Sequence, residues 1–143
     1  LTCLLARRNL IGAVELDLPK LVELNLSYNQ LRQLPPMSKM PHLEILVLAH
    51  NQLSGSVEGL KDSIRIKHLD LSHNEFDMNP SQLAKALEHL ARLRNLTSLR
   101  LYGNPFVACF KEYQVFVVKA LPSVTALDDV DMSSMKDTLR YDI

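Results

Sequence analysis

In the segment HLDLSHN, His68, Asp70 and His73 bring two imidazoles and a carboxylate within six positions. Residues two apart point to one side of a strand, so His68 and Asp70 share a face, and metal binding is the chemistry such a trio suggests. A stable centre takes three or four converging ligands, and this segment falls short of that. No metal is therefore expected, and the three are assigned to the surface of a strand. Cys3 and Cys109 form neither a disulfide framework nor a CxxC pair, and a reducing compartment is the simpler reading. Cys109 is expected in or near a core. Gly12, Gly55, Gly59 and Gly103 are too scattered to cradle a phosphate, and no GxGxxG, P-loop or HExxH occurs. The chain is read as no enzyme, with no cofactor and no small-molecule substrate.

The elements that hold these residues repeat. Aligned on an asparagine, LTCLLARRNLI, LVELNLSYNQL, LEILVLAHNQL, IKHLDLSHNEF and LTSLRLYGNPF fall into one register, LxxLxLxxNxL, starting at residues 1, 21, 43, 66 and 96. The two leucines of LxL point to one face of a short strand, and stacking of the coils is needed to bury them. The column Asn9, Asn29, Asn51, Asn74 and Asn104 is assigned a structural task, satisfying backbone groups inside the turn. The convex connections are expected to vary. RQLPPMSKMPH and SGSVEGLKDSIR read as extended or 3₁₀ segments. In DMNPSQLAKALEHLARLRN, Asn79 suits an N-cap and Pro80 the first helical position. Leu83, Leu87, Leu90 and Leu93 then follow helical spacing, so a helix is predicted over 80–93.

This pattern resembles the leucine-rich repeat family. The resemblance implies an α/β leucine-rich repeat solenoid: a curved horseshoe with short parallel concave strands, a mixed loop and helix convex side, and a C-terminal cap helix. After Asn104 comes PFVACFKEYQVFVVKALPSVTALDDVDM. Phe110, Tyr113, Phe116, Val117, Ala120 and Leu121 share one helical face, Pro122 stops the helix, and Asp129 interrupts a further strand begun by Val124 and Leu127. Asn104, Pro105, Tyr113, Leu121, Pro122, Leu127 and Asp128 match the cap of Sds-type, protein-phosphatase-1-regulator-like repeats, although the repeat beginning at 66 is longer than that subfamily favours. The likeness implies a regulatory or targeting subunit of an enzyme such as a protein phosphatase, or a cytoskeletal or ciliary adaptor. It implies a cytoplasmic protein, with nuclear, cytoskeletal or ciliary association open. Residues 1–143 are read as one domain, with the cap at 105–131, cut from a longer protein. The uncapped N-terminal edge would invite self-association.

The positions between the scaffold residues remain for function. Reading the third, fifth, seventh and eighth positions of each repeat down the stack places Ile45, Val47 and Ala49 at the centre of the concave face, flanked by Tyr28 and His50. His68, Asp70, His73, Arg100 and Tyr102 lie to one side of that centre, and Arg7 and Arg8 to the other. An apolar centre rimmed by aromatic, His and Arg side chains is the composition of a protein-binding hot spot. The expected site is therefore Arg7, Tyr28, Ile45, Val47, His50, His68, Asp70, His73, Arg100 and Tyr102, engaging a protein partner. Three histidines on this face would make binding respond to pH near neutrality. Sixteen basic and sixteen acidic residues cancel, which argues against a nucleic-acid partner. No apolar run is long enough to span a bilayer, so no membrane partner is expected.

Overall fold

Each repeat contributes a strand of only three residues, because only the central leucine of that strand must point inward before the chain turns away. A computed structural model describes residues 2–7, 9, 17–110 and 112–133; Leu1, Arg8 and Ile11, which the repeat pattern uses, lie outside the described residues. The strands are Cys3–Leu5 (β1), Glu23–Asn25 (β2), Ile45–Val47 (β3), His68–Asp70 (β4) and Ser98–Arg100 (β5). They pair in parallel and in sequence order. The register is unbroken: Cys3, Glu23, Ile45, His68 and Ser98 are successive partners, as are Leu5, Asn25, Val47, Asp70 and Arg100. The solenoid fold expected from the repeats is the one observed.

The inward leucines form one continuous core. Leu24, Leu46, Leu69 and Leu99 from the strands are all buried, as are Leu21, Leu43, Ile66 and Leu96 where the chain enters them. Each such side chain contributes about 2 kcal/mol relative to exposure. Behind the strands the chain returns by different routes. Met37–Lys39 and Glu58–Leu60 are 3₁₀ turns, anchored inward by Met37 and Leu60. The long repeat carries a helix, α1, at Pro80–Leu90. Asn79 caps it reciprocally with Gln82, at 2.8 and 3.0 Å, and Pro80 opens it. The helix ends earlier than the predicted residue 93. Leu93 is still buried, but through a turn in which its N–H donates to the Leu90 carbonyl, so the leucine spacing continued past the helix itself. Among the described residues no helix is long and apolar enough to cross a membrane.

The buried asparagines tie one coil to the next. The Asn51 amide donates to the carbonyls of Leu26 in the preceding coil (3.0 Å) and of Leu48 and Ala49 in its own (3.1 and 3.3 Å). Its Oδ1 accepts from the Leu31 N–H at 3.0 Å. Asn74 and Asn104 repeat the donor pattern, and Asn104 Oδ1 accepts from both Asn74 and Phe76 N–H. The structural task assigned to this column is the one observed, except that Asn9 at its start is exposed.

The C-terminal end departs from expectation in detail. The cap is two helices, Pro105–Cys109 (α2) and Tyr113–Ala120 (α3). The interruption shifts the phase, so the face expected to carry Phe116 does not: Phe116 is exposed and Val118 is buried instead, beside Tyr113, Val117 and Leu121. Cys109, expected in or near the core, is also exposed, at the last position of α2. Ala126–Leu127 (β6) adds to the sheet in parallel, and Val130–Asp131 (β7) then folds back antiparallel. The two residues between them, Asp128 and Asp129, both have positive φ, of 52° and 67°, as a type I′ hairpin turn requires.

Asp128 also closes the backbone ladder. In earlier repeats Leu26, Leu48 and Leu71 donate to Val47, Asp70 and Arg100 carbonyls of the following strand. Leu101 instead donates to the Asp128 carboxylate Oδ1 at 2.7 Å, and Tyr102 N–H joins it at 3.1 Å. No donor among the described residues reaches the buried Oδ2. Burial pushes the Asp128 carboxyl above its ordinary pKa, against the pull of the two backbone bonds.

Two stability predictions follow from these bonds. Asn51→Ala should cost about 2–4 kcal/mol by leaving buried backbone groups unpaired, while Asn9→Ala should cost well under half of that. Urea midpoints at unchanged m-value would show it. For Asp128 the raised pKa means that the fold binds its proton more tightly than the unfolded chain, so its contribution is lost as pH rises through the folded value. Asp128→Asn should therefore raise the urea midpoint at about pH 7.5, with the gain narrowing toward about pH 4. Asp128→Ala, which unpairs both N–H groups, should lower it at neutral pH by about 2 kcal/mol.

Candidate functional site

Strand spacing builds the most unusual feature of the sheet face. Parallel strands lie about 4.8 Å apart, close to the thickness of two stacked rings. A planar side chain recurring at one register therefore stacks on its counterpart. The eighth position of the repeat does this. Tyr28 and His50 are stacked at 4.1 Å with planes 9° apart, and His50 and His73 at 4.2 Å and 12°. Tyr102, from the seventh position of the next repeat, closes the row edge-on to His73 at 5.2 Å and 89°.

The backbone fixes this column. Tyr28, His50 and His73 have φ of 57°, 57° and 53°, and Gly103 at the same position has φ of 77°. Left-handed backbone at a bulky non-glycine residue is strained. It is held here by bonds across the repeats, Tyr28 N–H to Ala49 O, His50 N–H to Ser72 O and His73 N–H to Tyr102 O, at 2.9–3.1 Å. Gly103 has a second role. A Cβ on it would stand 2.4 Å from His73 Nδ1 and 2.7 Å from Cε1, so the His73 ring lies directly over the glycine. Tyr28 is 43% exposed, and His73 is exposed while His50 between them is half-buried. Burial first, then the charge of His73, pushes the His50 imidazole below its ordinary pKa, with Asp70 pulling the other way.

Ile45 and Val47, on β3 beside the ladder, keep partial exposure. Ala49, expected with them on the surface, is buried. The seventh position behaves so in the second to fourth repeats, because the left-handed residue after it turns the chain inward: Ser27 and Ser72 are buried and donate their hydroxyls to Asn25 Oδ1 and Asp70 Oδ1 at 2.7 and 2.6 Å. Asp70 is likewise no open contact. Its carboxylate accepts from Ser72 N–H and Oγ, pairs with Arg100 Nη1 at 3.2 Å, and is only 8% exposed as a residue. Arg100 bridges onward to Asp129 at 2.7 Å, so these two expected site residues lock three coils together. His68 stays exposed on β4, and Arg7 is exposed beyond β1. Leu5, which the expected site omitted, is 63% exposed on the same face, and its place in the fifth-position column was the available signal. Among the described residues no three His, Cys, Asp or Glu side chains converge as metal ligands. A cleft of about 440 Å³ lies between the 54–58 loop and α1, lined by Val57, Met78, Gln82 and His89, on residues separate from the ladder.

A one-sided parallel sheet, leucine-filled coils and an asparagine column define a leucine-rich-repeat solenoid. Leucine Rich repeats (2 copies) match residues 19–62 and a further Leucine Rich Repeat matches 65–86. Human vasorin is 32% identical over 84% of this chain, which spans 16% of vasorin. Mouse Leucine-rich repeat-containing protein 56 is 28% identical over 90% of this chain, which spans 28% of that protein. Human Serine/threonine-protein kinase 11-interacting protein is 35% identical over 63% of this chain and 8% of its own length. The fold resembles a chain of the Drosophila melanogaster SNF/U2A′ complex, with a TM-score of 0.68, 24% identity, and 82% of this chain and 65% of that one covered. It also resembles a chain of the Chaetomium Mex67:Mtr2 subunits, with a TM-score of 0.54, 28% identity, and 73% and 66% covered.

The glycine under His73 gives a direct test of the ladder. Gly103→Ala should destabilise by roughly 1–3 kcal/mol, combining the clash with an unfavourable φ. The double variant with His73→Ala should cost less than the sum of the two single variants, because the clash is then gone. Additive costs in urea denaturation would mean that the ring does not occupy this slot.

Proposed function

We propose that this solenoid is a non-catalytic interaction module that holds a protein partner on its sheet face. The observation that carries the reading is the row Tyr28–His50–His73–Tyr102, exposed at Tyr28 and His73 and half-buried at His50 and Tyr102, beside the partly exposed Ile45 and Val47. Rings already stacked on one another lose little freedom when covered, and aromatic anchors next to an apolar centre contribute most to protein interfaces. Arg7 and His68 form a polar margin, while Asp70 and Arg100 keep the face rigid. The similar chain in the Mex67:Mtr2 structure is one of two protein subunits, which supports a protein as the partner class.

A second reading makes the partner an enzyme, with this chain as its regulatory or targeting arm. It draws on likeness to a protein whose name records interaction with a serine/threonine kinase. The two readings share the same face and differ in whether the partner's activity changes on binding.

Paired affinity capture from cell extract tests the face. One bait is the unaltered chain. The other carries Tyr28→Asn, His50→Asn and Tyr102→Asn; asparagine tolerates the left-handed backbone that Tyr28 and His50 adopt. Thermal melts confirm that both baits are folded. The expected result is a protein retained by the first bait and reduced about tenfold or more on the second. Equal retention on both would move the working surface away from the ladder. Activity assays of a captured enzyme, with and without the module, separate the second reading from the first.

A further inference from the structure

The His50–His73 stack has one open direction. His50 is covered by Tyr28 on one face and His73 on the other, at 4.1 and 4.2 Å. His73 is covered by His50, has Tyr102 edge-on, and lies over Gly103. It cannot slide along the row, but its exposure leaves a path outward. We propose that this pair is a proton-operated latch on the sheet face, closed while it carries at most one proton and opened by a second, which swings His73 into solvent.

One imidazolium is well placed between aromatic faces, which attract a cation. Two imidazolium rings at 4.2 Å repel each other across a contact with no room for water. The groups around the pair do not remove that repulsion. From β4, Asp70 attracts a charge on His50, but its carboxylate is already committed to Ser72 and Arg100. From β5 and its turn come the Arg100 cation and neutral Tyr102. In the cap, Asp129 pairs with Arg100 and Asp128 is turned to the Leu101 and Tyr102 N–H groups. From the β2 turn comes Tyr28. His68 is exposed on β4, apart from the stacked rings. The low position of the His50 pKa agrees with this picture. Opening would remove one rung from the row of rings and break its continuity between Tyr28 and Tyr102. That this alters partner binding rests on the proposed interaction face; the latch itself does not, and its test needs no partner.

The experiment is a histidine side-chain NMR titration of the chain from about pH 8 to about pH 5, following the Tyr102 ring protons in parallel. The His50 midpoint should lie below the ordinary imidazole value. In His73→Phe, which keeps a ring but removes the charge, the His50 midpoint should rise. The ring-current shift of Tyr102, which packs edge-on to His73, should relax toward its random-coil value at the acid end, while Tyr28 stays stacked on His50. His73→Asn replaces the Phe variant if the latter does not fold. A His50 midpoint not lowered from the ordinary imidazole value, one unmoved by either His73 substitution, or a Tyr102 shift constant to about pH 5 would each overturn the latch. A working latch with undiminished capture by the ladder-substituted bait would instead separate it from the binding reading.

Discussion

The structure depends on one arrangement: an asparagine amide inside each turn that bonds the backbone of its own coil and of the coil before it. Asn51 and Asn74 each make this connection with an almost identical set of carbonyls. A buried amide left short of partners is costly, so the bonds hold neighbouring coils in one register and allow no slippage between them. The leucine core supplies most of the stabilisation, yet a core of similar leucines is tolerant of small shifts. The amides are directional and are not.

A fixed register has consequences for the surface. The residues before Asn29, Asn51 and Asn74 are held in left-handed backbone, and their N–H groups are bonded to the next coil. The strained position recurs at strand spacing, so whatever ring it carries meets the ring of the neighbouring repeat. The stack of Tyr28, His50 and His73 is thus an outcome of the same bonds that hold the core. Solenoid stability and the proposed recognition surface are not separate inventions of this chain. Changing the sheet spacing would disturb both.

Much of this was legible in the residues. The leucine and asparagine phase predicts which strands pair and in which register, because both patterns are local and repeat. Asn79 and Pro80 mark the start of α1 for the same reason. What escaped depends on backbone angles. The seventh position was expected to face solvent, and alternation along a straight strand says that it should. The left-handed residue that follows bends it inward, where Ser27 and Ser72 cap the strand with their hydroxyls. Gly103 held the clue, since a glycine aligned with Tyr28, His50 and His73 points to positive φ throughout that column. In the cap, the apolar period ran smoothly across Phe110 to Leu121, but the chain breaks between α2 and α3 and rotates the second helix, exposing Phe116 and burying Val118. Asp70 and Arg100 were placed on the correct face, though their charges meet each other and Asp129.

The cap shows how the ladder can end without another repeat. A further strand would offer a backbone carbonyl to Leu101, as later strands do to Leu26, Leu48 and Leu71; Asp128 offers one carboxylate oxygen to the N–H groups of both Leu101 and Tyr102. The hairpin turn that reverses the chain is what places Asp128 there, with Asp129 beside it to hold Arg100. Two adjacent acidic residues therefore finish the backbone pairing and the charge network of the sheet face together. The arrangement carries its own tension, because the buried carboxyl is pushed toward its neutral form while the amides it receives favour the anion. An end built this way accepts the desolvation of one carboxylate in return for leaving no open N–H at Leu101, which would otherwise pair with another strand. The surface next to it, from Tyr102 back to Tyr28, is thereby left available to a partner that binds by side chains and not by adding to the sheet.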